Sequence, residues 1–134
     1  MNRVFGDAHY FLALANPQDA AHRAALQFAQ HWRGEVVTTR WVLAEVADGL
    51  ASPQNRRLAV MLVERVSREP RFCLVENSDA LFERGFALYR NRQDKEWSLT
   101  DCISFIVMAD ERLSEALTGD HHFEQAGFTA LLTP

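Results

Sequence analysis

Short apolar runs rich in β-branched residues alternate along the chain with longer segments whose apolar positions recur every three or four residues. That alternation predicts strands handing over to helices, the order of a parallel sheet covered by helices. Strands are expected over Arg3–Gly6, Glu35–Thr38, Phe72–Glu76, Ala116–Thr118 and Thr129–Leu132. Between them, Asp19 can cap a helix with the stripe Ala21, Ala25, Phe28 and Trp32. Leu43, Val46 and Leu50 give a second stripe, Leu58, Leu62 and Val66 a third, and Phe82, Phe86 and Tyr89 a fourth. Ser52-Pro53 separates the second and third helices and Glu69-Pro70 closes the third, because a proline disfavours helical backbone in the residue before it. A polar stretch from Asn91 to Glu96 precedes Ser98, which with Asp101 spells a capping box opening a helix through Met108. Gly127 marks a turn into the last strand. With no repeat, linker or low-complexity stretch, one domain over residues 1–134 is the expectation.

Composition narrows the class. With 134 residues, 48% of them hydrophobic and 24% charged, the chain reads as an ordinary soluble domain. A chain of that size buries roughly two-thirds of its unfolded surface. Charges and histidines interrupt every apolar run, so no membrane helix is expected. Asp7 and His9 fall where a signal peptide would be apolar, and a cytoplasmic location is expected. Cys73 and Cys102 belong to no CxxC pair and read as reduced core residues. The formal charge of −4 argues against holding nucleic acid by bulk electrostatics. It leaves room for a nuclease, because a bound divalent cation offsets two charges where a phosphate must go. Of the 14 basic residues all but Lys95 are Arg, a bias that genomic composition explains as well as phosphate binding does.

Four acids carry the chemical signal. Asp7, Glu45, Asp101 and Asp120 each stand in apolar sequence where a strand hands over to a helix, or one turn inside that helix. Burying several carboxylates together is unfavourable unless a cation or hydrogen bonds neutralise them. In a parallel sheet ligands gather beyond the carboxyl ends of the strands, which is where these acids would converge. Each also has a local explanation: Asp7, Asp101 and Asp120 suit helix caps, and Glu45 a solvated helix edge. Four such explanations would have to hold independently, so the constellation outweighs its parts. Asp110, nine residues beyond Asp101, faces the other way at about 100° per residue. Asp94 and Glu96 lie in the polar loop, and Asp48, three residues after Glu45, is set aside although it could reach the same crevice. His121-His122 is not read as a zinc site, because adjacent histidines on a helix diverge and no Cys or third His stands at ligand spacing. There is no Gly-rich phosphate loop and no GxSxG elbow. Trp32, Trp41 and Trp97 read as core or edge aromatics rather than a base-stacking platform.

Taken in order, Val4-Phe5-Gly6-Asp7, Thr38 to Val46, Ser98-Leu99-Thr100-Asp101 and Leu117-Thr118-Gly119-Asp120-His121-His122-Phe123 resemble the PIN-domain nucleases, particularly small toxins of the VapC type. The likeness runs from about Val4 to Leu132 and closes on Thr-x-Asp-x-x-Phe followed by Ala126-Gly127-Phe128. It implies an α/β, PIN-like three-layer fold with a central parallel sheet of about five strands flanked by helices. It further implies Asp7, Glu45, Asp101 and Asp120 as the acidic positions holding Mg2+ or Mn2+, with Thr39 and Thr100 as accompanying hydroxyl residues. RNA cleavage, a homodimer and a cognate antitoxin that covers the site are also implied. Ala8 departs from the pattern, standing where many relatives carry Ser or Thr.

Crowded carboxylates raise one another's pKa values, and a hard cation with oxygen ligands relieves that repulsion. One ion or a pair would activate a water for in-line attack on a phosphodiester, leaving a 5′-phosphate. Asp7, Asp101 and Asp120 are assigned to the cation, and Glu45 to the cation or to the role of base. Two rivals stand beside this reading: a PIN-fold module that binds RNA or protein with weak or no turnover, and a metal-dependent phosphatase.

Overall fold

A computed structural model describes residues 2–133. Five strands are all parallel: β1 (Arg3–Gly6), β2 (Glu35–Thr38), β3 (Phe72–Leu74), β4 (Glu115–Leu117) and β5 (Thr129–Ala130). Between them run α1 (Ala8–Ala15), α2 (His22–His31), α3 (Arg40–Gly49), α4 (Arg56–Arg68), α5 (Asp79–Asn91), α6 (Leu99–Asp110) and α7 (His121–Gln125). The sheet order is β3-β2-β1-β4-β5. The chain therefore builds outward from β1 to β3, crosses back through α5 and α6, and resumes beyond β1 at β4. Such a reversal opens a crevice between β1 and β4, where the loops leaving the two strands part to opposite sides.

The central strands read as apolar runs because they are covered on both faces. Val4, Phe5, Val36, Val37, Ala116 and Leu117 are all buried. Helix α1 packs on α2 and α3, and α3 on α4, while α5 packs on α6 and α6 on α7. The two groups meet where α3 touches α6. Phe5, Phe11, Ile103, Met108 and Phe123 are the largest side chains fully enclosed.

Several local expectations hold. Leu43, Val46 and Leu50 are buried along α3. Ser98 and Asp101 form the capping box reciprocally: the Asp101 N–H donates to Ser98 Oγ at 2.9 Å and the Ser98 N–H to Asp101 Oδ2 at 3.2 Å. Gly127 takes φ +98, the left-handed conformation that favours glycine, just before β5. Cys73 and Cys102 are both free thiols.

Other expectations need correction. The edge strands are shorter than the apolar runs that suggested them: β3 stops at Leu74 and β5 at Ala130, each with one neighbouring strand to pair with. β4 begins one residue earlier than expected and ends before Thr118, which turns toward the crevice. Asp19 does not cap α2 itself; its Oδ1 accepts from the Ala21 N–H in the turn before the helix starts. The largest departure is α5. Phe82, Phe86 and Tyr89 face outward, 38%, 39% and 46% exposed, and stack on one another with centroids 6.4 and 6.3 Å apart. Leu81 and Gly85, one residue earlier in the period, face the core instead.

Gly85 explains that choice of face. A Cβ there would stand 2.4 Å from Ile103 Cγ1 and 3.1 Å from Ile103 Cα, so the missing side chain lets α5 and α6 approach closely. Gly→Ala in a helix interior ordinarily stabilises by up to about 1 kcal/mol. Here the steric conflict with backbone reverses the sign, and Gly85→Ala should destabilise by about 1–3 kcal/mol in a urea titration. A stabilised variant would mean that the two helices are not in this contact.

Candidate metal-binding active site

Asp7 follows β1 with extended backbone, and its N–H donates to the Leu117 carbonyl across the β1–β4 crevice. Asp7 stands at the N-cap of α1 without a side-chain cap bond, and its local backbone partner is the Ala8 N–H, which favours the charged carboxylate. Its Oδ2 accepts from Thr118 Oγ1 at 2.8 Å, and the residue is only 5% exposed. Burial raises its pKa from the ordinary 3.8 to about 7, and the charges of Asp101 and Glu45 push the same way. The Thr118 hydroxyl opposes that shift without cancelling it.

Asp101 is buried on the first turn of α6 and serves two ends at once. Oδ2 holds the helix cap and also lies 3.1 Å from His122 Nδ1. Its pKa is raised by burial, with the Asp120 charge adding, while the Ser98 N–H and His122 hold it down in part. Glu45 sits half-buried in the second turn of α3, where it raises no cap question. Burial lifts its pKa, helped by the charges of Asp101, Asp120 and Asp48.

Asp120 comes from the turn between β4 and α7. Its N–H donates to Thr118 Oγ1 at 3.0 Å, and its Oδ1 accepts from the His122 N–H at 2.9 Å, capping α7. The same turn is pinned from α1, where His9 Nδ1 accepts from the Gly119 N–H at 2.8 Å. A Cβ on Gly119 would sit 2.7 Å from His9 Cε1, so this contact needs glycine. Thr118 thus joins two acids by one hydroxyl, donating to Asp7 and accepting from the Asp120 backbone.

Asp7 feels the charges of Asp101 and Glu45, and Glu45 and Asp101 feel that of Asp120, so segments far apart in sequence stand near one another. Among the described residues, the donor atoms that all lie within 4.8 Å of one another are those of Asp120, His121 and His122. Among the described residues, no Lys or Arg pairs with any of them; their only basic contacts are His121 and His122. Asp110 does face away, bridged to Arg84 at 2.7 Å, and Asp94 pairs with Arg92 in the loop. Asp48 is exposed and lines the groove between α3 and α4, near enough only to add its charge to Glu45.

Two supporting residues behave differently from expectation. Thr39 Oγ1 accepts from the Val42 N–H at 3.1 Å and caps α3, and the Thr100 carbonyl accepts from Ser104 Oγ. Among the described hydrogen bonds neither hydroxyl reaches an acid; Thr118 does. Ala8 is buried at the start of α1, so the hydroxyl that Asp7 receives comes from the far side of the crevice. His121 and His122 do not diverge as adjacent helical positions suggest: their ring centroids lie 4.5 Å apart and both have a nitrogen near Asp120. His122 Nδ1 lies 3.1 Å from Asp101 and 3.3 Å from Asp120. The readable sign was the cap itself: an Asp at the N-cap draws the residue two positions on back against its carboxylate.

The residues fit a divalent cation. Asp7, Glu45 and Asp101 are raised in pKa by burial and by neighbouring acids, and among the described residues no Lys or Arg opposes them, a donor set of hard oxygens that suits such an ion. The chain belongs to the PIN-domain family, whose model matches residues 4–129. Over 127 residues it is 31% identical to the 23S rRNA-specific endonuclease VapC20 of two Mycobacterium tuberculosis strains, covering 93% of this chain and 95% of that one. The crystal structure of Mycobacterium tuberculosis VapC20, described as a Sarcin-Ricin loop cleaving toxin, superposes with TM-score 0.86 and 25% identity, covering 94% of this chain and 96% of that one. A toxin–antitoxin complex from Klebsiella pneumoniae shares the fold at TM-score 0.68 and 20% identity, over 98% of this chain and 99% of that one. FitAcB from Neisseria gonorrhoeae shares it at 0.61 and 18%, over 95% and 94%.

A pH dependence follows from Asp7. Its pKa is higher folded than unfolded, so the fold favours the protonated carboxyl; that contribution is complete below about pH 4 and is lost as pH rises through about 7. In EDTA, Asp7→Asn should therefore match wild type near pH 4 and exceed it above pH 7, by at most about 4 kcal/mol in chemical denaturation. A gap that does not depend on pH would contradict the buried, repelled carboxylate.

Proposed function

We propose that this chain is a divalent-cation-dependent endoribonuclease and the toxin of a toxin–antitoxin pair, a single nuclease domain spanning residues 1–134. The observation that carries the reading is Asp7: a carboxylate 5% exposed, facing acidic neighbours, with a hydroxyl but no Lys or Arg to neutralise it. Membership of the PIN-domain family and the likeness to VapC20 support the same reading.

Asp7, Asp101 and Asp120 would hold Mg2+ or Mn2+, with Glu45 at the open side. When bound, the cation supplies Lewis acidity that activates a water and stabilises charge on the phosphoryl oxygens. Thr118 orients Asp7, and the Ser98 N–H and the His122 N–H orient Asp101 and Asp120, so the carboxylates are aligned before the cation arrives. Glu45, half-buried with a raised pKa, is suited to take the proton of the attacking water at its carboxylate. Water as nucleophile leaves a 5′-phosphate. Because the relative is specific for 23S rRNA, that RNA is the first substrate to test. Among the described residues no helix is long and apolar enough to cross a membrane, and the reading carries a cytoplasmic location with it.

The partners are a cognate antitoxin and a second copy of this chain. For the second copy the outward face of α5 is the proposed contact: three stacked aromatic rings continue through Phe82 into a cleft shared with Trp41 and Arg40. Exposed aromatics in a row mark an interface rather than a solvated face.

Wild type should cleave a 23S rRNA fragment in Mg2+ or Mn2+, leaving 5′-phosphate ends, and fall silent in EDTA. Asp7→Asn and Asp101→Asn should each lose at least about a hundredfold in rate. Undiminished cleavage in EDTA and in both variants would end the proposal. In sedimentation, wild type should run as a dimer and Phe86→Glu as a monomer; a monomeric wild type would remove the homodimer.

A further inference from the structure

We propose that His122 is itself a ligand of this centre, making it a mixed carboxylate–imidazole site that prefers Mn2+ to Mg2+. The inference rests on the acidic cluster being a cation site, and adds to it a nitrogen donor and a selectivity.

The geometry is that of an open coordination face. His122 Nδ1 stands 3.1 Å from Asp101 Oδ2 and 3.3 Å from Asp120 Oδ1, so one ring nitrogen lies between an acid of α6 and an acid of the β4–α7 turn. A six-coordinate ion with bonds of about 2.1–2.2 Å holds adjacent ligands about 3 Å apart, close to both spacings. One ring N–H can satisfy one of these oxygens well; a shared cation satisfies both. The oxygens are also held in place without the imidazole, Asp101 Oδ2 by the Ser98 N–H at 3.2 Å and Asp120 Oδ1 by the His122 N–H at 2.9 Å. The carboxylates would therefore keep their aim when the His122 ring turns its lone pair to a metal.

Burial separates the two adjacent histidines. The His122 side chain is 18% exposed and wedged between the acids, whereas that of His121 is 68% exposed and 3.7 Å from Asp120 Oδ1. His121 lies on the same short helix with its donor atom within 4.8 Å of those of Asp120 and His122, but among the described contacts it meets Asp120 and not Asp101, which makes it a matched control.

The choice of ion follows from ligand chemistry. Mg2+ demands oxygen ligands and takes imidazole poorly, while Mn2+ accepts carboxylate and gains from a nitrogen donor. A centre of carboxylates alone would show little of that discrimination.

The test is pulsed electron paramagnetic resonance of untagged protein loaded with Mn2+, paired with calorimetric titration of Mn2+ and Mg2+. Wild type should show nitrogen modulation from a directly bound imidazole. His121→Gln should keep it and His122→Gln lose it. The ratio of Mn2+ to Mg2+ affinity should fall about tenfold in His122→Gln and stay unchanged in His121→Gln. Mn2+ bound to wild type without nitrogen coupling would overturn the ligand assignment and leave the nuclease reading standing. Failure of wild type to bind Mn2+ at all would overturn both.

Discussion

A carboxylate forced out of water beside other carboxylates is the constraint around which this molecule is arranged. Asp7 sits at the end of β1 because the chain there passes from a buried strand to a buried helix, and nothing local requires an acid in that position. Its hydroxyl partner is 111 residues away. A folded state that keeps such a group tolerates a cost of a few kcal/mol, a large fraction of the 5–15 kcal/mol by which domains are stable. A cation that binds only the folded chain returns that stability through mass action. On the proposed function, the unfavourable electrostatics of the cluster and an affinity for a divalent ion would be one property seen in two states.

The fold divides the work of holding this cluster. Parallel pairing fixes β1 against β4, and the topological reversal between them opens the crevice. Asp7 and Asp120 stand just before α1 and α7, and Glu45 and Asp101 in the first two turns of α3 and α6, near helix starts where backbone N–H groups are free to orient a carboxylate. Asp101 and Asp120 cap their helices through those groups, whereas Asp7 makes no such cap bond. The turn from Thr118 to Asp120 is the hinge of the arrangement. It is gripped from α1 through His9 and Gly119, and links Asp7 to Asp120 through one threonine hydroxyl. Each element of the site is thereby tied to an element of the core, which suits a centre that must be ready before its ion arrives.

Much of this was legible in the sequence, and the parts that were not share a physical reason. The four acids stood out because apolar residues flank each of them, and the Ser98–Asp101 box because both of its bonds lie within one helical turn. Strand order could not be read from apolar runs, since pairing partners such as Phe5 and Ala116 are distant in the chain. On α5 two apolar stripes compete, and the aromatic one is the larger; the glycine at 85 decides for the smaller, because only that face lets α6 come close. The roles of Thr118 and His122 were not legible for another reason. Their importance lies in contacts to Asp7 and Asp101, and no spacing within their own segment announces a partner contributed by another element.

Whether Asp7, Glu45, Asp101 and Asp120 share a cation, as proposed, is decided by anomalous diffraction from crystals grown with Mn2+. The expected result is manganese density between Asp7, Asp101 and Asp120, within coordination distance of their oxygens and within reach of Glu45. Manganese bound elsewhere, or no density with the acids turned to other partners, would contradict the account.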